Sequence, residues 1–283
     1  MPERRRQRTL AGLARVRGQG VHTGEKTSVS IRPAEPGHGL VFRRTDLEGK
    51  PLIPATVESI VWSKLHNRTT LARGQAEVQT PEHLLSALAG LGVDNVLVDL
   101  TGPEVPGCDN SSLPFVEAIE EAGIEEQDAP LAPLSVDAPI TVRDEESGAE
   151  VTAMPSTRFE VTFFAEFPEG YFLEPQTVHL QVTPKAYREQ VAAARTWIFA
   201  EQIPGLLLRG LGKGGTRESV LVIGKSEFVT EPRMRDEAAR HKALDLIGDL
   251  ALVGRPLRAH VLARRSGHAL HAKLVQQILA AAT

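Results

Sequence analysis

The chain has 283 residues, 41% hydrophobic and 24% charged, which is material for one large or two ordinary globular domains with a sizeable core. Lys and Arg number 32 against 36 Asp and Glu, and the net charge of −4 excludes the broad positive field that nucleic-acid binding needs. The lone Cys108 excludes an intramolecular disulfide, no apolar run reaches the roughly 18 residues of a membrane span, and Met1 to Arg6 leads into no apolar signal region, so the sequence predicts a cytoplasmic protein.

The opening half predicts sheet. Gly-Gln-Gly-Val-His-Thr-Gly at 18–24 precedes an alternating Thr27 to Arg32, and a turn at Gly37-His38-Gly39 leads into the strand-like Leu40 to Arg44. Thr80-Pro81-Glu82-His83 reads as a helix start, with Thr80 as N-cap and Pro81 at the first helical position, and the helix runs to Gly90 and Gly92. A strand at Asn95 to Leu100, a turn-rich stretch at Thr101 to Ser112 and a helix from about Pro114 to Ala122 follow. Glu125 to Pro139, with three prolines and little periodicity, reads as a linker and puts a domain boundary near residue 130.

The second half opens again with strands, at Ile140 to Val142, Glu150 to Ala153, Phe159 to Phe164 and near Val178 to Val182, before a helix from Pro184 to Ala194. Strands first and helices later in each half predict two α+β layers rather than alternating βαβ units, with domains 1–130 and 131–283. No sequence repeat relates the halves. Gly210-Leu211-Gly212-Lys213-Gly214-Gly215 is not a phosphate loop, because the lysine is followed by glycine and no strand precedes it; it reads as a flexible connection. Cys108 has no local histidine base, so a packing role accounts for it.

Arg235 to Val253 has helix formers throughout, acids Asp236 and Glu237 at its start and Gly254 with Pro256 past its end. Positions four apart lie about 40° apart around a helix, so His241, Asp245 and Asp249 form one polar stripe among Leu244, Ile247, Leu250 and Leu252. Such a stripe is costly to bury unless paired, hydrogen-bonded or bound to metal. His and Asp at this spacing can present a nitrogen and an oxygen to one cation. On this helix alone, a solvated, salt-bridging face accounts for the same residues.

Three stretches together change that balance: Thr80-Pro81-Glu82-His83-Leu84, Arg240-His241-Lys242-Ala243-Leu244-Asp245, and Arg265-Ser266-Gly267-His268-Ala269-Leu270. They resemble the zinc-dependent UDP-3-O-acyl-N-acetylglucosamine deacetylase family of lipid A biosynthesis. The resemblance extends to Val21-His22-Thr23-Gly24, Phe42 to Asp46, Ala87 to Asn95, Pro114-Phe115-Val116, Ala194-Arg195-Thr196 and Asp245 to Leu250, in the family's order over nearly the whole chain.

The resemblance implies two similar α+β domains packed face to face, with a zinc ion in the cleft between them and an inserted element in each. It makes His83, His241 and Asp245 the zinc ligands and Glu82 the general base. Two histidines and one carboxylate leave a fourth tetrahedral position open, as in catalytic rather than structural zinc sites. Thr196 is implied as donor to the oxyanion and His268 as the cation that protonates the departing amine. Asp249 is implied to orient His268, and Lys242 to add positive charge near the oxyanion or the substrate phosphates. Substrate contacts are implied at Trp197, Phe199 and Arg265, and the insert around 197–227, with Ile198, Phe199, Ile203, Leu206, Leu207 and Leu208, is implied as the acyl-chain passage. The implied partner is a UDP-activated acylated glucosamine, with peripheral membrane contact through that substrate.

The chain departs from the family's pattern at Cys108-Asp109-Asn110-Ser111, where the family has Met-Asp-Gly-Ser, and at Pro168-Glu169-Gly170, which replaces a His-Pro. Trp197 stands for a phenylalanine and His271 for an asparagine. Two other readings remain beside the deacetylase: a zinc amidase for another acylated nucleotide sugar, and a catalytically silent zinc-binding interaction protein. Intact Glu82, Thr196 and His268 argue against the silent reading, since a structural site has no use for them.

Overall fold

The computed structural model describes residues 5–282; the first four, on which part of the leader reading falls, lie outside the described residues. Alternation builds the first sheet: in Lys26–Pro33, Thr27, Val29 and Ile31 point inward while Ser28 and Ser30 are only half-buried. Its spatial order is Ala14–Gln19, Lys26–Pro33, Val96–Leu100, Leu40–Arg44, Leu52–Pro54. The last strand in sequence is threaded between two hairpins, antiparallel to Lys26–Pro33 and parallel to Leu40–Arg44.

The second half repeats this plan. Ile140–Asp144, Ala149–Pro155, Leu257–Arg264, Phe159–Ala165 and Gln176–Gln181 are neighbours in that order, and Leu257–Arg264 runs antiparallel to Ala149–Pro155 and parallel to Phe159–Ala165. Each half is therefore two hairpins split by a final strand, a duplication of topology that residue identities do not show. A parallel pairing needs a long crossover. The crossover carries helix α1 (Glu82–Leu91) in the first half; α2 (Leu113–Ala122) follows that half's final strand. In the second half the crossover carries α3 (Pro184–Gln190), α4 (Ile203–Leu208) and α5 (Glu237–Leu250), and α6 (His268–Ala281) follows the strand.

Helices α1 and α5 pack on one another and join the halves through one continuous core that includes Leu84, Leu85 and Leu88 with Ala243, Leu244 and Ile247. Gly248 allows this approach, because a Cβ there would overlap the carbonyl of Glu82. Backbone cannot swing aside as a flexible side chain would. Gly248→Ala is therefore expected to destabilise the protein by about 1–3 kcal/mol, more than the gain of about 1 kcal/mol from alanine's helix propensity. Thermal unfolding measures this, and an unchanged or higher melting temperature would show that the two helices can separate without penalty.

Several sequence expectations are corrected. The first half of the predicted linker is a strand, Ile124–Leu131, paired antiparallel with Arg5–Leu10; its side chains are half-buried or exposed and none is buried, so it carries no apolar alternation to betray it. Thr80 is not the N-cap of α1: it sits at φ 54°, its hydroxyl donates to Glu104, and Pro81 occupies the cap. Helix α3 ends at Gln190, short of Ala194. The turn at 108–111 holds two left-handed residues, Cys108 at φ 54° and Asn110 at φ 57°; asparagine is among the side chains that tolerate this region. Among the described residues no helix is long and apolar enough to cross a membrane.

Candidate active site

The start of α1, one face of α5 and the start of α6 meet at the floor of a cavity of about 920 Å³. Glu82, His83, Thr196, Trp197, His241, Lys242, Asp245 and His268 all line it. The stripe read on α5 is buried, not solvated: His241, Asp245 and Asp249 are each no more than 3% exposed.

His83, His241 and Asp245 point ligand atoms at one another within 4.8 Å. His241 Nε2 lies 3.3 Å and His83 Nε2 3.7 Å from Asp245 Oδ1. Two donors each about 2.0–2.1 Å from a tetrahedral cation stand roughly 3.3 Å apart, so the spacing suits three ligands of one ion better than direct hydrogen bonds. His241 Nδ1 donates to the carbonyl of Ala194 at 3.1 Å, which turns the Nε2 lone pair toward the cluster. Burial pulls His83 down to about 3 and lowers His241 as well, keeping both imidazoles neutral. Burial alone would push Asp245 up, but His241 and Lys242 outweigh it and hold the carboxyl well below the usual range. Two neutral imidazoles and an ionised carboxylate are the protonation states that a divalent cation requires.

Glu82 and His268 flank this cluster. The Glu82 carboxyl is pushed up to about 8, first by burial and then by Asp249 and Asp245. The backbone N–H of Thr69 donates to its Oε2 at 3.3 Å, and His268 Nε2 stands 3.9 Å from its Oε1. Burial opposes a charge on His268, but Asp249, through its charge and a 2.7 Å bond from Nδ1, raises the imidazole to about 9. Burial likewise opposes the charge on Asp249, and His268 with His271 reverses that, so the carboxyl sits below its ordinary range. Asp249 Oδ1 also accepts from the Thr69 hydroxyl at 2.7 Å.

A second trio, Asp249, His268 and His271, also clusters within 4.8 Å. Both imidazole Nδ1 atoms lie on the same oxygen, Asp249 Oδ2, at 2.7 and 2.8 Å. Donors converging on one acceptor form a hydrogen-bond network; they do not surround a cation.

Other implied residues fall at varying distances from this centre. Thr196 is held by its N–H bond to the carbonyl of Asn110, so the left-handed turn of the first half positions a residue of the second. Lys242 donates to Asp245 Oδ2 at 3.0 Å and lies 6.0 Å from the Trp197 ring centre. Trp197 lines the cavity, whereas Phe199 is buried behind it with Leu221 and Ile223, and Arg265, at φ 54°, lies 4.0 Å from Glu166 outside the lining. Ile198, Ile203, Leu206 and Leu207 form an apolar arm of the cavity, and Leu208 faces away, 89% exposed. The glycine-rich 210–215 segment is docked, not loose: Lys213 and Gly214 donate to the carbonyls of His22 and Val21.

Sequence reading missed Thr69 and Glu104. Glu104 is 1% exposed and accepts from the N–H groups of His22 and Thr23 and the hydroxyls of Thr23 and Thr80, tying the 18–24 loop to the entry of α1. Neither residue sits in a periodic element, so no local sequence signal marks either of them.

A family model described as UDP-3-O-acyl N-acetylglycosamine deacetylase matches residues 7–280. The UDP-3-O-acyl-N-acetylglucosamine deacetylase of Myxococcus xanthus is 39% identical over 280 residues, 98% of this chain and 88% of the relative. Its namesake in Thermosynechococcus vestitus is 42% identical over 273 residues, 96% of this chain and 93% of the relative. The protein of the same name in Coxiella burnetii is 40% identical over 278 residues, 97% and 90% of the two chains.

Proposed function

Because this chain belongs to the UDP-3-O-acyl-N-acetylglucosamine deacetylase family, we infer that it hydrolyses the acetamide of that substrate to the free amine and acetate, in lipid A biosynthesis. It is a hydrolase of a metal-dependent family, and its His83, His241, Asp245 set fits a metal. We propose that the metal is zinc, since two imidazoles and one carboxylate with an open fourth position suit it. Held by His83, His241 and Asp245, such an ion would supply Lewis-acid polarisation of the acetamide carbonyl and make a water more acidic.

The chain's own residues divide the remaining work. Glu82 takes the proton of the attacking water, Thr196 donates its hydroxyl to the oxygen that becomes negative, and His268 delivers a proton to the leaving nitrogen. Asp249 holds His268 charged and oriented. Lys242 offsets the charge of Asp245 rather than reaching into the cavity alone. The observation that carries this reading is the placement of Glu82 Oε1 and His268 Nε2, 3.9 Å apart, beside the His83, His241, Asp245 cluster in one cavity.

Trp197 and the apolar arm would take the acyl chain, with Phe199 backing the wall; Arg265, outside the cavity, would meet only the outer part of the nucleotide. Leu207 and Leu208, 51% and 89% exposed beside that arm, support peripheral contact with a lipid surface. The halves 1–130 and 131–283 would be the two domains, with the metal between them, and the lone thiol suits the cytoplasm.

Purified protein is expected to carry one zinc per chain by elemental analysis, and His241→Ala or Asp245→Ala to lose most of it along with deacetylation of UDP-3-O-acyl-N-acetylglucosamine. Full zinc retention in both variants would overturn the ligand set.

A further inference from the structure

His271 is fully buried, and both ring nitrogens are engaged: Nδ1 lies 2.8 Å from Asp249 Oδ2 and Nε2 2.9 Å from the Ser266 hydroxyl. Asp249 is ionised and can only accept, so Nδ1 carries the proton and the Ser266 hydroxyl donates to Nε2. His271 is thus a neutral donor to the very oxygen that holds His268. The charged or titratable groups acting on it are Asp249 and Asp245 of α5 and His268 of its own helix, and Glu82 of α1 faces His268 from the other side. Burial and His268 keep His271 from charging.

We propose that His271 is a positioning residue for deacetylation: its Nδ1–H fixes the Asp249 carboxylate and shares its charge, so setting the pH at which His268 surrenders its proton. A carboxylate oxygen that already accepts one N–H attracts a second proton donor less strongly. Without His271 the full charge would fall on His268, and the imidazolium would persist to higher pH. The inference rests on His268 being the acid of the proposed reaction.

An amide separates the two bonds of His271. Asn places its NH₂ near the position of Nδ1 and Gln near that of Nε2, so His271→Asn retains the bond to Asp249 and His271→Gln gives it up. In the zinc-loaded enzyme, His271→Gln is expected to move the basic limb of the rate profile up by about 0.7 pH unit, the equivalent of roughly 1 kcal/mol. His271→Asn and Ser266→Ala are expected to leave the limb within about 0.2 unit of the parent, less than 0.3 kcal/mol by the same conversion. A limb that Asp249→Asn shifts but His271→Gln does not would overturn the role of His271 alone. A limb that neither variant shifts would remove His268 as the acid and this inference with it. Should the Gln variant not fold, ¹⁵N spectra of the parent decide: His271 is expected as the neutral Nδ1–H tautomer throughout the active pH range, and the Nε2–H tautomer would overturn the proposal.

Discussion

Glu82→Gln is expected to lower kcat by about 10²–10⁴, the range that a positioned general base contributes, while zinc content stays at one per chain. Gln keeps the shape of the side chain and the bond from the Thr69 N–H, but it cannot take a proton. The metal ligands are untouched, so metal loss cannot be the cause of the slower rate. Stability should move the other way. A buried carboxyl whose folded pKa lies near 8 binds its proton more tightly folded than unfolded, so stability falls as pH rises from the ordinary value of about 4.3. The amide lacks that loss. Metal-free Glu82→Gln should therefore melt no lower than the metal-free parent at pH 8, and higher if burial of the carboxylate dominates. Parent-like turnover in the zinc-loaded variant would remove Glu82 from the role of base.

Helix α5 was legible because the polar stripe of His241, Asp245 and Asp249 and a helical apolar pattern share one period, and its observed span, Glu237–Leu250, lies within the predicted run. His83 was legible only through its neighbours, since one histidine beside a glutamate has no period to reveal it. The central strand Leu257–Arg264 was not read, because Ala259 and Ala263 alternate with Leu257 and Val261 on its inward face and weaken the apolar signal. Helix α6 begins at His268 without a side-chain cap, so no start signal marks it. The duplicated topology is carried by strand order, which no residue encodes locally. Thr69 illustrates the same limit at the site: it meets Asp249 across 180 positions, and nothing in the irregular segment around it anticipates the contact. What local pattern reveals is which residues can do chemistry; which ones complete the site is decided by packing between the halves.

Asp249→Asn should both slow the reaction and move its basic limb to lower pH. His268 must be protonated to serve the leaving nitrogen, so the rate falls as pH rises through its pKa. Burial opposes that charge; the nearby Asp249 carboxylate, at 2.7 Å, is what lifts the group to about 9. Asn preserves the volume and one acceptor but removes the negative charge. The desolvation then acts with less opposition, and a shift of about 1–3 units downward is expected, the scale of one close charge partner. The rate at the optimum should fall roughly 10²-fold or more, because a neutral amide accepts from the imidazole less strongly than the carboxylate and selects its orientation and tautomer less firmly. Glu82 and Asp245 still face His268, which bounds the shift from below. Profiles of kcat/KM from pH 5 to 10 on parent and variant, both zinc-loaded, measure this. A variant that is slower but turns down at the parent's pH would mean that another group titrates there. Lys242, whose ammonium is held 3.0 Å from Asp245 at the edge of the same cavity, would be the next residue to test.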